Sequence, residues 1–481
     1  MPDSMKIIKY ITPIALVLIS SFAASAQVEL NQQKCREMAL DYSRQIKISE
    51  NRHEQALLSG KIARAQHLPK LSASGLYFYK PDPLEYSLEG GYLPTYTPGQ
   101  NGEMQPNVQM NPNTGQPVTG PDGNPVFNMY AMMPDMNLNI GMEGVTTAGV
   151  QLEQPVYLGG KIRAANKLAG TGIEMSKKQM DLKKSEVISS VDAAYFQYLA
   201  VKEKKKAANE YKVLLDSLEA TIEATNREGM STRNELLKVQ VKRNEAILLK
   251  QKANSGLQLA AMNLCRIIGL PLETELHIDE TEETELPDIR PADGNNPSDR
   301  PEYQLLNDAI AVKQHQEKLA RAEMLPQIGI SAGYSYLGGL EINGQGTDEM
   351  AFSAMASVKI PIFKWFEERN RLSKAQLETE VARMELEENE KLLQLDIARA
   401  RFNLEESFTR LELTEKALEQ AQENLETSQS LFEEGMEPLV DLLEAQVQWQ
   451  KARSEYIDAE TSLKLMHTYY LKATGRLSVK K

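Results

Sequence analysis

The feature that most constrains this chain is that it states one pattern twice. Ile62-Ala63-Arg64-Ala65-Gln66-His67-Leu68-Pro69 returns 257 positions later as Leu319-Ala320-Arg321-Ala322-Glu323-Met324-Leu325-Pro326. Glu228-Gly229-Met230, Leu236-Leu237 and Gln240-Val241 return 206 positions later as Glu434-Gly435-Met436, Leu442-Leu443 and Gln446-Val447. The second offset also carries Pro155 onto Pro361 and Gly269 onto Gly475, so that stretch aligns without a gap. A repeat of this size means two copies of one supersecondary unit, and any fold assigned to one copy must suit the other.

Proline placement sets where long helices can run. None occurs between Pro155 and Pro271, none between Pro361 and Pro438, and none after Pro438. Proline breaks helix interiors, and residues 160–227 and 366–433 are rich in the strong helix formers Lys, Glu, Gln, Ala and Leu. Ile397, Leu404, Leu411, Leu418, Leu425 and Phe432 recur every seven residues, the seam of a coiled coil. Tyr211, Leu215, Leu218 and Ile222 form a weaker seam in the first copy. A helix of this length makes a rod of roughly 100 Å. Gly229 and Gly435 end the rods, and Ser231-Thr232 or Pro438 restart a helix that runs to Gly269 or Gly475. Shorter helices are predicted over 31–66 and 302–323.

Strands are predicted on either side of the proline marks, at about 70–79, 145–155, 327–336 and 351–360. Ile328, Ile330, Ala332, Tyr334 and Tyr336 alternate with Gln327, Gly329, Ser331, Gly333 and Ser335. Phe352, Ala354, Ala356, Val358 and Ile360 alternate with Ser353, Met355, Ser357 and Lys359. Copy one repeats this with Leu71, Ala73, Gly75, Tyr77 and Tyr79, although Leu76 and Phe78 blur the other face. Apolar outward, small or polar inward, with tyrosines toward one end, is the pattern of a lipid-spanning β-barrel, and it also fits a hairpin on a soluble core. Copy one carries a long insertion, about 81–144, holding ten of the chain's 22 prolines; it reads as a weakly ordered surface loop. Its Met104, Met110, Met129, Met132, Met133 and Met136 are soft-metal ligands by chemistry and gap-fillers by habit. Residues 271–300, with the acidic run Asp279–Glu285, read as a linker between the copies.

The remaining composition mostly excludes. Residues 1–26 read as a secretory signal: Lys6 and Lys9, an apolar run from Ile11 to Phe22, then Ala24-Ser25-Ala26. No stretch is long and apolar enough for a spanning helix. A net charge of −13 argues against a nucleic-acid surface. Cys35 and Cys265 either pair or stay as buried thiols. Five scattered histidines offer no metal-ligand spacing, and no catalytic or cofactor motif is present. The expectation is a non-enzyme without cofactor. A pore-free periplasmic coiled-coil adaptor or scaffold would explain the helices as well, but would not require two alternating hairpins.

Four strands per chain cannot close a membrane barrel, and an open edge in lipid strands backbone polar groups. Three chains give twelve strands, the smallest count that leaves a pore. The expected architecture is therefore mainly α with a small β part. A helix, strand hairpin and long helical hairpin form a unit duplicated over 27–270 and 301–481, and a trimeric 12-stranded outer-membrane β-barrel continues into a 12-helix periplasmic α-barrel.

The duplicated helix, Leu-Pro, strand hairpin, Pro155-Val156-Tyr157-Leu158-Gly159-Gly160 or Pro361-Ile362-Phe363, long helix, Glu-Gly-Met tip and Leu-Leu-x-x-Gln resemble the outer-membrane efflux protein family, the TolC family. The resemblance covers almost all of the chain beyond the signal. It implies a homotrimeric exit duct of a tripartite efflux pump or type I secretion system. The duct would sit in outer-membrane lipid, contacted by a periplasmic adaptor protein and driven by an inner-membrane pump. Carried over by motif, adaptor-docking positions are Arg227, Glu228, Gly229, Leu236 and Leu237, and Glu434, Gly435, Leu442 and Leu443. Copy two departs from the family pattern in having Phe432-Glu433 where a basic residue is expected. Glu426, Glu433, Glu434, Glu437 and Asp441 are candidates for an acidic gate.

Overall fold

A computed structural model describes residues 29–278 and 296–477. The signal segment and the acidic run from Asp279 lie outside the described residues. In chain order the elements are β1 (Glu29–Leu30), α1 (Gln32–Tyr42), α2 (Arg44–Ala65), β2 (Lys70–Leu88), β3 (Gly91–Pro94), β4 (Tyr96–Pro98), β5 (Met104–Pro106), β6 (Tyr130–Met133) and β7 (Met136–Leu158). They continue with α3 (Lys161–Arg227), α4 (Arg233–Ile268), β8 (His277–Ile278), α5 (Pro301–Ala322), β9 (Gln327–Ile342), β10 (Gln345–Lys359), α6 (Glu367–Glu433) and α7 (Leu439–Ala473). The segments predicted as rods, 160–227 and 366–433, each form a single helix of 67 residues. The predicted helix over 31–66 is two helices, parted at Ser43, where the backbone leaves the helical region.

Two compact units result. Of the described residues, one comprises 29–58, 170–278, 296–312 and 378–477; the other comprises Ser59–Ala169 and Lys313–Leu377. Each draws on both sequence copies. The repeat is a unit of pattern, not of packing.

In the first unit the leucine seam is buried as its spacing requires: Ile397, Leu404, Leu411 and Leu425 are at most 8% exposed. Leu215, Leu236, Val239, Leu442 and Trp449 join Leu425 in one core cluster. A second cluster forms where α1 lies on α4, joining Cys35 and Ala39 to Leu264, Cys265 and Ile268. Both cysteines are free thiols, and burial pushes Cys35 up to about 12. Asp192 of α3 is wholly buried and receives Arg36 from α1 and the Thr468 hydroxyl from α7.

His467 adjoins that site. Burial first, and the Arg36 charge second, hold its imidazole below the ordinary 6.5, with the Asp192 charge opposing them. The neutral ring is thus favoured in the folded chain, and the unfolded chain takes up a proton first. Stability is full above the unfolded value of about 6.5 and falls as pH drops below it. In urea unfolding at about pH 7.5 and 5.5, His467→Gln is expected to lose part of this slope. An unchanged slope would assign the pH dependence to other groups.

In the second unit the four long strands form one antiparallel sheet in the order β10-β9-β7-β2. Residues paired directly across antiparallel strands share a face. The register pairs Ala73 with Val150, Val150 with Tyr334 and Tyr334 with Phe352; it likewise pairs Leu71 with Leu152, Leu152 with Ala332 and Ala332 with Ala354. One face is therefore apolar across all four strands. The other carries Ser72, Ser74, Gln151, Glu153, Ser331, Ser353 and Ser357, together with Leu76 and Phe78.

The strands are longer than the alternation predicts, β2 reaching Leu88 and β7 beginning at Met136. The intervening segment is not the weakly ordered loop its composition suggests. β3 pairs with β6, β4 with β5, and bridges join Val108 to Phe127 and Met110 to Pro117. Backbone pairing overrides composition here, because a hairpin already begun by β2 and β7 makes each further rung a short closure.

Candidate functional site

The two tips turn through the same backbone device. In copy one, Gly229 N–H donates to the Asn226 carbonyl and Met230 N–H to the Thr225 carbonyl. In copy two, Gly435 N–H donates to Phe432 and Met436 N–H to Leu431. This Schellman arrangement needs a left-handed residue after the helix, and φ is 78° at Gly229 and 72° at Gly435. The tip glycines are thus accounted for as terminators. Met230 and Met436 beside them are exposed.

The tips differ in how the next helix starts. Thr232 and Glu235 form a capping box: Glu235 N–H donates to the Thr232 hydroxyl at 3.2 Å, and Thr232 N–H donates to the Glu235 carboxylate at 2.7 Å. That backbone N–H, and then the Thr232 hydroxyl, hold the Glu235 carboxyl below its usual range. Asn226 Nδ2 donates to the Ser231 carbonyl at 2.7 Å, tying the turn to α3. In copy two Pro438 is the cap and offers no side-chain bond. There the Ser428 hydroxyl donates to Glu437 at 2.6 Å.

The arms differ too. Arg243 of α4 pairs with Asp216 at 2.8 Å and Glu219 at 2.9 Å on α3. Its counterpart under the 206-residue offset is Trp449, buried against Leu425. Both hairpins share one apolar cluster, and at this position the first adds partly exposed ion pairs where the second adds a buried indole.

The four leucines do not act alike. Leu236 and Leu442 are 4% and 2% exposed and belong to the core. Leu237 is 45% exposed, whereas Leu443 is buried with the core; both line a groove of about 620 Å³ between α4 and α7, with Val241, Val440 and Val447 as further apolar wall and Asn234, Lys238, Lys242 and Glu444 beside them. Val440 did not stand out in the sequence. The 3.6-residue period from Val440 through Leu443 to Val447 was its signal, hidden by the stronger buried stripe of the same helix.

Arg227 is exposed and paired with Glu223 at 2.8 Å within its own helix, and Glu228 is exposed beside it. Glu426, Glu433, Glu434 and Asp441 are exposed, whereas Glu437 is partly buried. Glu426 accepts from Gln422 at 2.7 Å and Glu433 from Gln429 at 3.4 Å. Within one chain these acids do not converge, and among the described residues no group of His, Cys, Asp and Glu is arranged to hold a metal ion. No helix among them is long and apolar enough to cross a membrane.

Comparison with known proteins agrees with this geometry. Residues 127–270 and 304–469, well over half of the chain, match the family described as outer membrane efflux protein. Among solved structures, CusC is similar with a TM-score of 0.71 at 14% identity, over 93% of this chain and 92% of that one. A membrane protein from Pseudomonas aeruginosa is similar with a TM-score of 0.70 at 16% identity, over 97% and 99%. The Campylobacter jejuni CmeC outer membrane channel follows with 0.68 at 16% identity, over 92% and 85%. A search of curated proteins finds no match.

Proposed function

Because the chain belongs to the outer membrane efflux protein family, it is an outer-membrane efflux channel with a periplasmic helical part, and we propose that it works as a trimer. The observation that carries this is the four-stranded sheet, apolar on one face, with β10 and β2 left as open edges. In lipid each open edge leaves backbone donors and acceptors without water. Three copies join those edges into twelve strands. A pore-free adaptor or scaffold would have no use for a sheet with an apolar face and two free edges.

The tips are the docking end. A periplasmic adaptor seats in the groove between α4 and α7, with Leu237, Val440 and Leu443 as its apolar floor. Arg227, Glu228 and Glu434 flank it near the glycine turns. The adaptor couples the channel to an inner-membrane pump, as part of a tripartite efflux pump or a type I secretion system. The chain itself supplies a passage, not a reaction. At the second tip Glu426, Glu433, Glu434, Glu437 and Asp441 form the acidic gate, which favours cations at a narrowing. An adaptor that binds splayed hairpins better than closed ones opens it by shifting that equilibrium.

The expected outcome is a trimer in mild detergent, three times the mass of the chain without its signal, with discrete conductance in planar bilayers. Glu434→Gln with Asp441→Asn is expected to lower cation selectivity in the same recordings. A monomer without conductance would remove the channel-trimer reading, and unaltered selectivity would remove the gate.

A further inference from the structure

The two copies do not end their hairpins alike, and the difference falls at a sheet edge. Copy one passes from β7 into α3 through Gly159 and Gly160, both left-handed, with φ of 61° and 84°. The 206-residue offset puts Trp365 and Phe366 at those positions, and they adopt the same conformation, with φ of 50° and 63°. Side chains as bulky as these rarely take that backbone, and such strain persists where surrounding contacts hold it. Within one chain the hold is slight: Glu367 N–H donates to the Lys364 carbonyl at 2.9 Å across the turn, and the Phe366 ring lies 5.9 Å from that of Phe363. Trp365 is 83% exposed, with its ring 5.2 Å from that of the exposed Phe363.

What the missing contact is can be read from copy one. There Gly159 lies against the end of α5, so close that a Cβ would stand 2.5 Å from the Ala322 carbonyl oxygen and 2.8 Å from Leu325. The 257-residue offset makes Ala322 and Leu325 the counterparts of Ala65 and Leu68. Leu68 is exposed within its own chain, as is Ile62 before it. The strands obey the same mapping. β2 pairs with β7 as β9 pairs with β10: Ala73 with Val150 becomes Ile330 with Ala356, and Tyr77 with Thr146 becomes Tyr334 with Phe352. The join between copies, β7 to β9, sets Val150 against Tyr334 and Leu152 against Ala332. Carried around the ring, that join has one more instance, between β10 of one chain and β2 of the next.

We propose that β10 pairs with β2 of a second copy of this chain in the register that sets Ala356 opposite Tyr77 of the partner subunit and Val358 opposite Gly75 of the partner subunit, with Trp365 and Phe366 seated on the turn at Leu68 of the partner subunit. The inference rests on the closed-barrel reading and adds its register and its rim contact. The rim joint between subunits is wider than the joint within a subunit, because a Trp side chain stands where copy one leaves no room for a Cβ. Lys161 pairs with Glu323 at 3.8 Å at the inner joint. The outer joint has Glu367 and Gln66 of the partner subunit in those places, so the apolar seat takes over from an ion pair.

Disulfide trapping tests the register. β10 and β2 lie at opposite edges of one sheet, roughly 14 Å apart across three strand spacings, whereas a disulfide needs Cα atoms within about 7 Å. Ala356→Cys with Tyr77→Cys therefore cannot close within one chain. Mild oxidation of the full-length protein in detergent is expected to turn monomer into covalent dimer and trimer on a non-reducing gel. The single variants, and Phe352→Cys with Tyr77→Cys, are expected to give none. A ladder from the Phe352 pair, or no ladder from either while light scattering still reports a trimer, overturns the register and leaves the barrel. A monomer by light scattering overturns the barrel itself. Trp365→Gly, which restores the residue of copy one, is expected to lower the temperature at which the trimer dissociates in SDS; an unchanged or higher temperature overturns the rim seat.

Discussion

Arg36→Ala is expected to cost about 3–5 kcal/mol, the cost of leaving a buried charge without its partner. Asp192 is wholly buried, and Arg36 meets it with two parallel bonds, Nε to Oδ1 at 2.7 Å and a terminal nitrogen to Oδ2 at 2.6 Å. The Thr468 hydroxyl donates to Oδ2 at 3.1 Å. Without Arg36 the carboxylate keeps the Thr468 hydroxyl and loses the one cation bonded to it among the described residues. The effect reaches beyond the pair, since these residues tie α1 and α7 to α3. Removing both charges acts differently: Arg36→Met with Asp192→Leu is expected to lose far less, because the desolvation cost leaves with the attraction. Urea midpoints of the two variants check this. A single-variant loss under about 1 kcal/mol would mean that water reaches the carboxylate.

Val440→Glu, alone or with Leu237→Glu, is expected to weaken adaptor binding by at least about 2 kcal/mol, roughly thirtyfold, while the trimer stays intact. These side chains are 48% and 45% exposed, so a carboxylate there reaches water and the fold survives. An adaptor closing over the groove would have to bury that carboxylate, and an unpaired charge in an apolar seat is costly. Leu236→Glu and Leu442→Glu mark the contrast. They place the charge in the core and are expected to unfold the hairpin end rather than to uncouple it. Titration of the channel with its adaptor separates the two effects. Unaltered affinity of Val440→Glu would move the docking surface off this groove.

Much of the architecture was legible beforehand. The rods appear as Lys161–Arg227 and Glu367–Glu433, within a residue of the predicted spans, because proline and glycine end helices by local stereochemistry. Along the seam from Ile397 to Leu425 all but the partly buried Leu418 are buried, because a seven-residue period holds one face inward. The strand faces also follow, since alternation has a period of two. Other features were not legible. The segment after Leu88 is poor in strand formers, yet pairs because its hairpin had already begun. Leu236 and Leu237 look alike in sequence, and only packing separates core from groove.

The sequence by itself determined the two copies, the length of the long rods and which face of each strand is apolar. These depend on residues a few positions apart. Tertiary structure alone decided that β7 of one copy lies beside β9 of the other, that Arg36 meets Asp192, and that α4 and α7 leave a groove between them. Those partners stand more than a hundred residues apart. Their meeting is set by sheet register and helix packing, and no local spacing encodes either.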